Sequence, residues 1–584
     1  MHNYSVPVAS IWSALHAAGL RDLLALDPFH FDESDVRGVL DGFAALATEV
    51  IAPSNRVGDR TGASLDRQSG TVSIDPSVAA AYRKYADGGW CGITAPLEFG
   101  GGGFPRLVGV ALQEMFAAAN MALSLNPTLS QSAIELLLRW GSPEQCSSYL
   151  PLLLSGEWSG TMDLTEPEAG SDLGAIRTIA IPTDDGRWSI SGTKIFITWG
   201  EHDLTENIVH LVLARTPGAP AGTKGLSLFL VRKLLPGSGA GRVRRNAVRC
   251  ESLERKVGIH SSPTCVLSFE GADGELVGQV GAGMTGMFTM MNAARLAMGV
   301  QGLAVSERSY QQSLAFTHER RQGRASGGKE PVLIAYHPDV QRMLANMASS
   351  IDAMRALLYH CAAASDYAQA ALEVEQRRAA QARADLLTPL AKAWASDEGV
   401  RLTSLGIQLH GGMGYIEETG IAQLWRDSRI APIYEGTNGI QAIDLISRKV
   451  VRDDGKALTA LLDELGRKLS RPCNDRRLGP ACSAVLDGLA EVRKCAAWII
   501  DAAPAHMPDV LAGASPFLEM VATTVAAGLL VVSVNREWNN QPEIDGAIER
   551  ACLFALQRVP QASALRSSVC AGSDQSVAAS GVRW

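Results

Sequence analysis

The stretch RIAPIYEGTNGIQ, residues 429–441, sets one carboxylate, Glu435, between Tyr434 and a Gly-Thr-Asn-Gly run. Surface acids ordinarily sit among other charges. This one lies at a glycine-rich break between two helical patterns, beside Ile433 and Tyr434. Three other stretches hold polar groups at spacings that suit a ligand. TMDLTEPEAGSDLGAIRT (161–178) offers Thr165, Gly170 and Ser171 on an irregular segment where glycine permits close backbone approach; a plain connecting loop has the same composition. In GTKIFITWGEHDLTENIVHLVLAR (192–215), Phe196 and Thr198 stand two apart on a strand and so face one side. That pairing suits a flat ring with a heteroatom, and equally a half-buried strand. HERRQGR (318–324) is either a solvated helix terminus or an arginine clamp for a pyrophosphate. Gln408 and Gly411-Gly412 end a helical pattern 23 residues before Glu435, and His410 between them reads as a packed core histidine.

These groups need a frame of several elements. From Ile11 to about Leu154, segments such as VRGVLDGFAALATEVIAPSNR repeat apolar residues at three and four, the helical period, with a break at LEFGGGGFP. After Gly156 the period shortens to two. RWSISGTKIFIT reads as a hairpin turning at Ser191-Gly192, and the strand pattern continues to about 278, all of it with an antiparallel look. Helices return over 286–321, and HPD (337–339) opens another with Asp339 as a plausible cap. A third helical block closes near 450. The last 130 or so residues are alanine-rich and helical, with turns at SRPCNDRRLGP and NNQPE. The expected architecture is mainly α with a central β domain: an N-terminal helical domain (1–157), a β domain (158–278), a helical bundle (279–454) and an additional helical domain (455–584).

Bulk properties exclude several classes. A net charge of −8 argues against a nucleic-acid footprint or a polybasic membrane patch. The ten cysteines are scattered, without a Cys-x-x-Cys pair or zinc spacing, as reduced core thiols of a cytoplasmic protein would be, and no metal site is expected. The N-terminus lacks the basic and apolar regions of a signal peptide. FLEMVATTVAAGLLVVSV (517–534) is long enough to approach a membrane span, but it carries Glu519 and reads as a buried bundle helix. GAGMTG (281–286) has the formal Gly-x-Gly-x-x-Gly spacing of a dinucleotide fingerprint. It lacks the second parallel strand and terminal acid, so a strand-to-helix turn is expected.

In this order and frame, the four stretches resemble the acyl-CoA dehydrogenase family of flavoproteins from near the N-terminus to about residue 450. MNAARL, NIVHLVLAR, ERRQGR and IYEGTNGIQ, with the long tail, are most similar to the bacterial branch of 3-methylmercaptopropionyl-CoA dehydrogenase-like enzymes. The resemblance implies a helical domain, a β-barrel and a four-helix bundle, with FAD held between barrel and bundle. It implies Glu435 as the base that takes the α-proton of an acyl-CoA. Leu164 and Thr165 would meet the flavin ring, Phe196 its face and Thr198 its N5. Arg320 would hold the pyrophosphate, and Gln408, Gly411 and Gly412 the adenosine end, these groups reaching a neighbouring subunit's cofactor in a homo-oligomer, a dimer being favoured. Thr437 would lie at the pyrophosphate beside the acid. Ser171, Asn292 and Arg295 would touch the acyl-CoA. An electron-transfer flavoprotein would receive the electrons. Two residues depart from the shorter enzymes: Gln322 stands where they have an aromatic residue and Gly439 where many have Gln. A flavin oxidase or monooxygenase on the same fold, and a non-catalytic scaffold, remain alternatives, and the acyl chain is not legible.

Overall fold

Alternating and helical apolar patterns resolve into the elements that carry the candidate residues. The computed structural model describes residues 4–581, apart from 28, 238–241, 325–327, 329, 474 and 536–542. It divides into two units, one of Met1–Leu40, Arg106–Glu114 and Arg295–Trp584, the other of Asp41–Pro105 and Met115–Ala294.

In the second unit, helices precede and support a sheet. The helix Met121–Trp140 starts where Asn120, held in an extended conformation, accepts a bond from the Leu123 N–H at 3.0 Å. The next helix, Pro143–Ser155, opens on a reciprocal Ser142–Gln145 capping box and closes at Gly156, φ 77°. Seven of the strands that follow form one sheet: β1 (Trp158–Asp163), β2 (Ile179–Pro182), β3 (Trp188–Thr198), β4 (Asn207–Arg215), β5 (Leu226–Arg232), β6 (Val248–Leu253) and β7 (Thr264–Val277). Their order is β6-β7-β3-β2-β4-β1, and β5 pairs with both β7 and β4, which closes a ring. Closure removes the edges of the five ring strands, while among the described residues β6 and β1 each pair on one side only. Leu129, Leu137 and Leu153 from the helices pack with Leu211, Leu228 and Met287 in one core. Full burial of each such side chain contributes about 1.5–3 kcal/mol.

Two sequence expectations fail here. Ser191-Gly192 is not a turn, because β3 runs unbroken from Trp188 to Thr198 and the hairpin is the β2–β3 pair, turning at Thr183–Arg187. Gly192 serves close approach instead: a Cβ there would lie 2.3 Å from Thr178 Oγ1. Nor are the strands all antiparallel, since β1 runs parallel to β4 along its whole length. Period-two patterning reports faces and carries no direction, so it could not distinguish the two.

The long helices of the first unit are α1 (Gly283–Glu319, which belongs to it from Arg295 on), α2 (Pro338–Ala370) and α3 (Val374–Leu409), with α4 (Ile421–Ser428) and α5 (Asn438–Asp444) around the Glu435 turn. Only small residues allow α1 and α3 to cross so closely: a Cβ on Gly302 would lie 2.2 Å from the Ala395 carbonyl. Helix α1 begins directly after β7 through the GAGMTG turn, with Gly281 at φ 78° donating to Ser227 Oγ. Asp339 does not cap α2. Pro338 occupies the first helical position, which moves the cap to His337, and Asp339 bonds Arg342 instead.

The tail adds α6 (Lys456–Leu469), α7 (Leu478–Ala512), α8 (Ala514–Val534) and α9 (Glu543–Ala564). SRPCNDRRLGP spans the α6–α7 junction, whereas residues 539–542 of NNQPE lie outside the described residues. Helix α8 is apolar and long enough to cross a membrane, yet 78% of its most apolar window is buried within the protein. Ion pairs fasten the tail to the bundle: Arg558 to Glu398 at 2.6 Å, Arg550 to Asp352, and Arg383 to Glu464. All ten cysteines are free thiols.

Candidate active site

Glu435 sits on the turn between α4 and α5. The turn is built from the Ile433 and Tyr434 N–H groups, both bonded to the Ile430 carbonyl, and the Asn438 N–H, bonded to the Pro432 carbonyl. Glu435 itself adopts φ 56° and Gly436 φ 84°. A non-glycine residue in this region costs about 1–3 kcal/mol, and such strain collects where a side chain must be aimed. Part of the Glu435 surface stays open, as a base that meets a substrate requires, yet the surrounding atoms are dense enough to desolvate the carboxyl. Burial pushes it up to about 7, against the pull of Arg295 and then of Lys392.

Those two cations belong to the same unit. Arg295, on α1, is buried; burial pulls its pKa down, against the charges of Asp444 and Glu435, which favour its ionised form. Lys392, on α3, is fully buried and donates to Asn438 Oδ1 at 2.8 Å; Asn438 Nδ2 in turn donates to the Ala393 carbonyl at 3.0 Å. Burial pushes the ammonium down to about 8, while Asp397 and Glu435 hold it up. The Tyr434 hydroxyl donates to Gln301 Oε1 on α1, which anchors the other side of the turn. A carboxyl poised near neutrality between two cations can take and release a proton close to physiological pH. Lys392 and Asn438 were missed from the sequence. A lysine inside the apolar run LLTPLAKAWA was their available signal.

Of the other candidates of this unit, only Thr437 is near Glu435 in the sequence. Arg320 is exposed and bonds Gln322 Oε1 at 3.3 Å. Gln408, Gly411 and Gly412 are exposed, and no atom comes within 4 Å of a Cβ built on either glycine. His410 is buried and stacked on Phe316 at 4.4 Å, with Nδ1 bonded to the Gly406 carbonyl, the packed histidine expected. The Thr437 hydroxyl caps α5, accepting from the Ile440 N–H at 3.2 Å.

In the second unit, Phe196 is presented by a β-bulge. Ile197 pairs with Cys265 and Lys194 with Leu267, so Ile195 and Phe196 together oppose Val266. Phe196 takes φ 59° and stands 57% exposed, with Thr198 half-buried beyond it. Plain alternation would put Lys194 on the same face, but the bulge lets Lys194 point inward, where it is fully buried. Its ammonium donates to the Leu164 carbonyl at 3.0 Å, the Leu213 carbonyl at 2.9 Å and Glu166 Oε1 at 2.8 Å. Glu166 also accepts the Arg177 and Thr178 N–H groups. The Ile195 N–H donates to the Thr165 carbonyl, so the Leu164–Thr165 segment is held from both sides. Asp163, one residue before it, is buried and bonded to His210 at 2.9 Å. Ser171 and Asn292 are exposed, whereas Arg295 is buried and its charge acts on Glu435. Lys194, Glu166 and the Asp163–His210 pair also escaped the sequence reading. A charged residue at an inward strand position marks them.

Comparison with known proteins decides the family. The N-terminal, middle and C-terminal domains of acyl-CoA dehydrogenases match residues 38–157, 161–272 and 281–450. The chain belongs to the acyl-CoA dehydrogenase family. It is 42% identical to a 3-methylmercaptopropionyl-CoA dehydrogenase of Ruegeria pomeroyi, over 99% of this chain and all of that one. It is 33% identical to the broad-specificity linear acyl-CoA dehydrogenase FadE5 of Mycobacterium tuberculosis, over 87% and 85% of the two chains. Among solved structures, the fold matches Caenorhabditis elegans ACDH-11 in complex with C11-CoA at a TM-score of 0.80 (21% identity, 95% of this chain, 92% of that one). It also matches an acyl-CoA dehydrogenase of Bacillus anthracis complexed with FAD at 0.74 (22% identity, 93% and 89%).

As an acyl-CoA dehydrogenase, the protein is an FAD-dependent oxidoreductase acting on acyl-CoA thioesters. The residues present fit that cofactor. Phe196 offers an uncovered aromatic face and Thr198 a hydroxyl two residues on. Thr165 is half-buried, and among the described residues its N–H has no acceptor. Arg320 presents an exposed guanidinium of the kind that binds pyrophosphate bidentately.

Proposed function

We propose that Glu435 is the general base of this acyl-CoA dehydrogenase and removes the α-proton of the bound thioester. The observation that carries the reading is a carboxyl on a strained turn, desolvated up to about 7 while still partly open. A base with a pKa near the working pH combines ionisation with a useful driving force, and such placement contributes about 10²–10⁴ in rate. The Glu435 backbone N–H is the donor suited to the thioester oxygen as enolate character develops, where a positioned donor is most effective. Arg295 and Lys392 keep enough of the carboxyl ionised to accept the proton and would release it again to solvent. FAD, when bound, supplies the acceptor for the hydride that leaves the β-carbon, and the product is a trans-2-enoyl-CoA.

Leu164, Thr165, Phe196 and Thr198 serve the flavin ring in this reading, and Arg320, Gln408, Gly411, Gly412 and Thr437 the rest of FAD. Ser171 and Asn292, both exposed, suit the CoA arm. Arg295 is better matched to the base than to that arm. The 42% identity along the whole chain makes 3-methylmercaptopropionyl-CoA the first substrate to test, with short and medium straight-chain acyl-CoAs beside it. The enzyme is cytoplasmic and a homo-oligomer, a dimer by preference, and passes its electrons to an electron-transfer flavoprotein. A solved electron-transferring flavoprotein of Acidaminococcus fermentans is among the structures of similar fold, at a TM-score of 0.60.

Turnover of that acyl-CoA series with a dye or an electron-transfer flavoprotein as acceptor, with peroxide followed in parallel, tests the assignment. Acceptor-dependent enoyl-CoA formation with little peroxide is expected. Stoichiometric peroxide in air would make the protein an oxidase, and no turnover with any acyl-CoA would return it to the scaffold reading.

A further inference from the structure

Deprotonating a thioester requires no buried lysine beneath the Leu164–Thr165 segment, yet Lys194 lies there with no exposed surface. An ammonium has three donors, and here each has an acceptor: the Leu164 carbonyl, the Leu213 carbonyl and Glu166. The charged form is therefore the one that the site satisfies. Glu166 is likewise fully engaged, by Lys194, the Arg177 and Thr178 N–H groups and the Thr178 hydroxyl. A buried ion pair of this kind gives little net stability over a well-packed apolar pair, so its retention invites another explanation.

The Leu164 carbonyl and the Thr165 N–H are the two ends of one planar peptide group. A cation bonded to the oxygen end draws charge along that group and makes its N–H a stronger donor, an effect magnified where the dielectric is low. The Thr165 carbonyl is separately held by the Ile195 N–H at 2.9 Å, so the segment cannot swing to direct that N–H elsewhere. The Thr165 N–H itself finds no acceptor among the described residues.

We infer that Lys194 is a positioning residue that polarises the Leu164–Thr165 peptide, so that the Thr165 N–H favours the electron-rich, reduced flavin ring over the oxidised one. The inference rests on the reading of Leu164 and Thr165 as flavin contacts. Its consequence is a redox bias set from behind the peptide by a residue that touches no cofactor atom.

The test compares the parent holoenzyme, Glu166→Gln, and the double variant Lys194→Met/Glu166→Gln, which removes both charges with near-isosteric side chains and leaves no lone buried ion. FAD affinity is measured for the oxidised and the reduced protein, and the midpoint potential by equilibration with a reference dye. The double variant is expected to weaken reduced-FAD binding about tenfold more than oxidised-FAD binding, which for a two-electron couple lowers the potential by about 30 mV. Glu166→Gln, which keeps the lysine on the Leu164 carbonyl, should remain near the parental potential. If the double variant weakens both redox forms equally, or leaves the potential unchanged, Lys194 is only a structural support and the inference is wrong. A parent protein that binds no FAD would overturn the flavin-contact reading as well.

Discussion

Replacing Glu435 by Gln should damage catalysis and strengthen the fold, with the second effect confined to a defined pH range. In the folded protein the carboxyl is pushed from 4.5 up to about 7. Between these values the native state holds a proton that the unfolded chain releases, so stability falls as pH rises from about 4.5 to about 7 and then levels off. The full difference corresponds to about 3 kcal/mol, and the partial exposure of Glu435 reduces the expected effect to about 2 kcal/mol. Gln cannot ionise, so its contribution is flat across that range. The Glu435→Gln protein, saturated with FAD, should therefore gain about 2 kcal/mol over the parent at pH 8 relative to the difference between the two at pH 5. For a chain of this size that is a rise of somewhat under about 2 °C in midpoint. Thermal or denaturant unfolding of both proteins at the two pH values measures it. An advantage of the same size at both pH values, or none at pH 8, would show that the carboxyl is well solvated and would remove the physical basis for its role as base.

Three further outcomes follow from other contacts. Lys392→Met removes a cation that lowers the Glu435 pKa, so the acid limb of the kcat/KM profile should move above about 7; an unmoved or lowered limb would separate Lys392 from the base. Gly192→Ala forces a Cβ to within 2.3 Å of Thr178 Oγ1, which should destabilise the barrel by about 1–3 kcal/mol, read as a lowered thermal midpoint. Arg558→Ala leaves Glu398 with Arg401 alone, and the loss of one partner from a buried carboxylate should cost about 2–3 kcal/mol, read as faster proteolysis of the tail.

The lone acid at 435 and the helix–β–helix order were legible because both are local. A glycine-flanked acid and a change of period from 3.6 to 2 are written in neighbouring residues, and the resemblance supplied the candidate roles. What escaped was set by distant partners. Gly192 looks like a turn until Thr178 is known to press against it, and the parallel β1–β4 pair has the same alternation as an antiparallel one. Lys194 and Glu166 are 28 residues apart in sequence and joined at 2.8 Å, while Lys392 reaches Asn438 from another helix. Arg295 stood among the sequence candidates for the acyl-CoA arm, but its burial, with its charge acting on Glu435, depends on how α1 packs, which no spacing reports.

Mixing holoenzyme anaerobically with 3-methylmercaptopropionyl-CoA, and with straight-chain acyl-CoAs, while following the flavin absorbance tests the role of Glu435 most directly. The parent protein should bleach rapidly with at least one of these thioesters. Glu435→Gln, with an equal load of FAD and unaltered acyl-CoA affinity, should bleach at least about 10² more slowly. Bleaching of that variant at the parental rate would contradict the account.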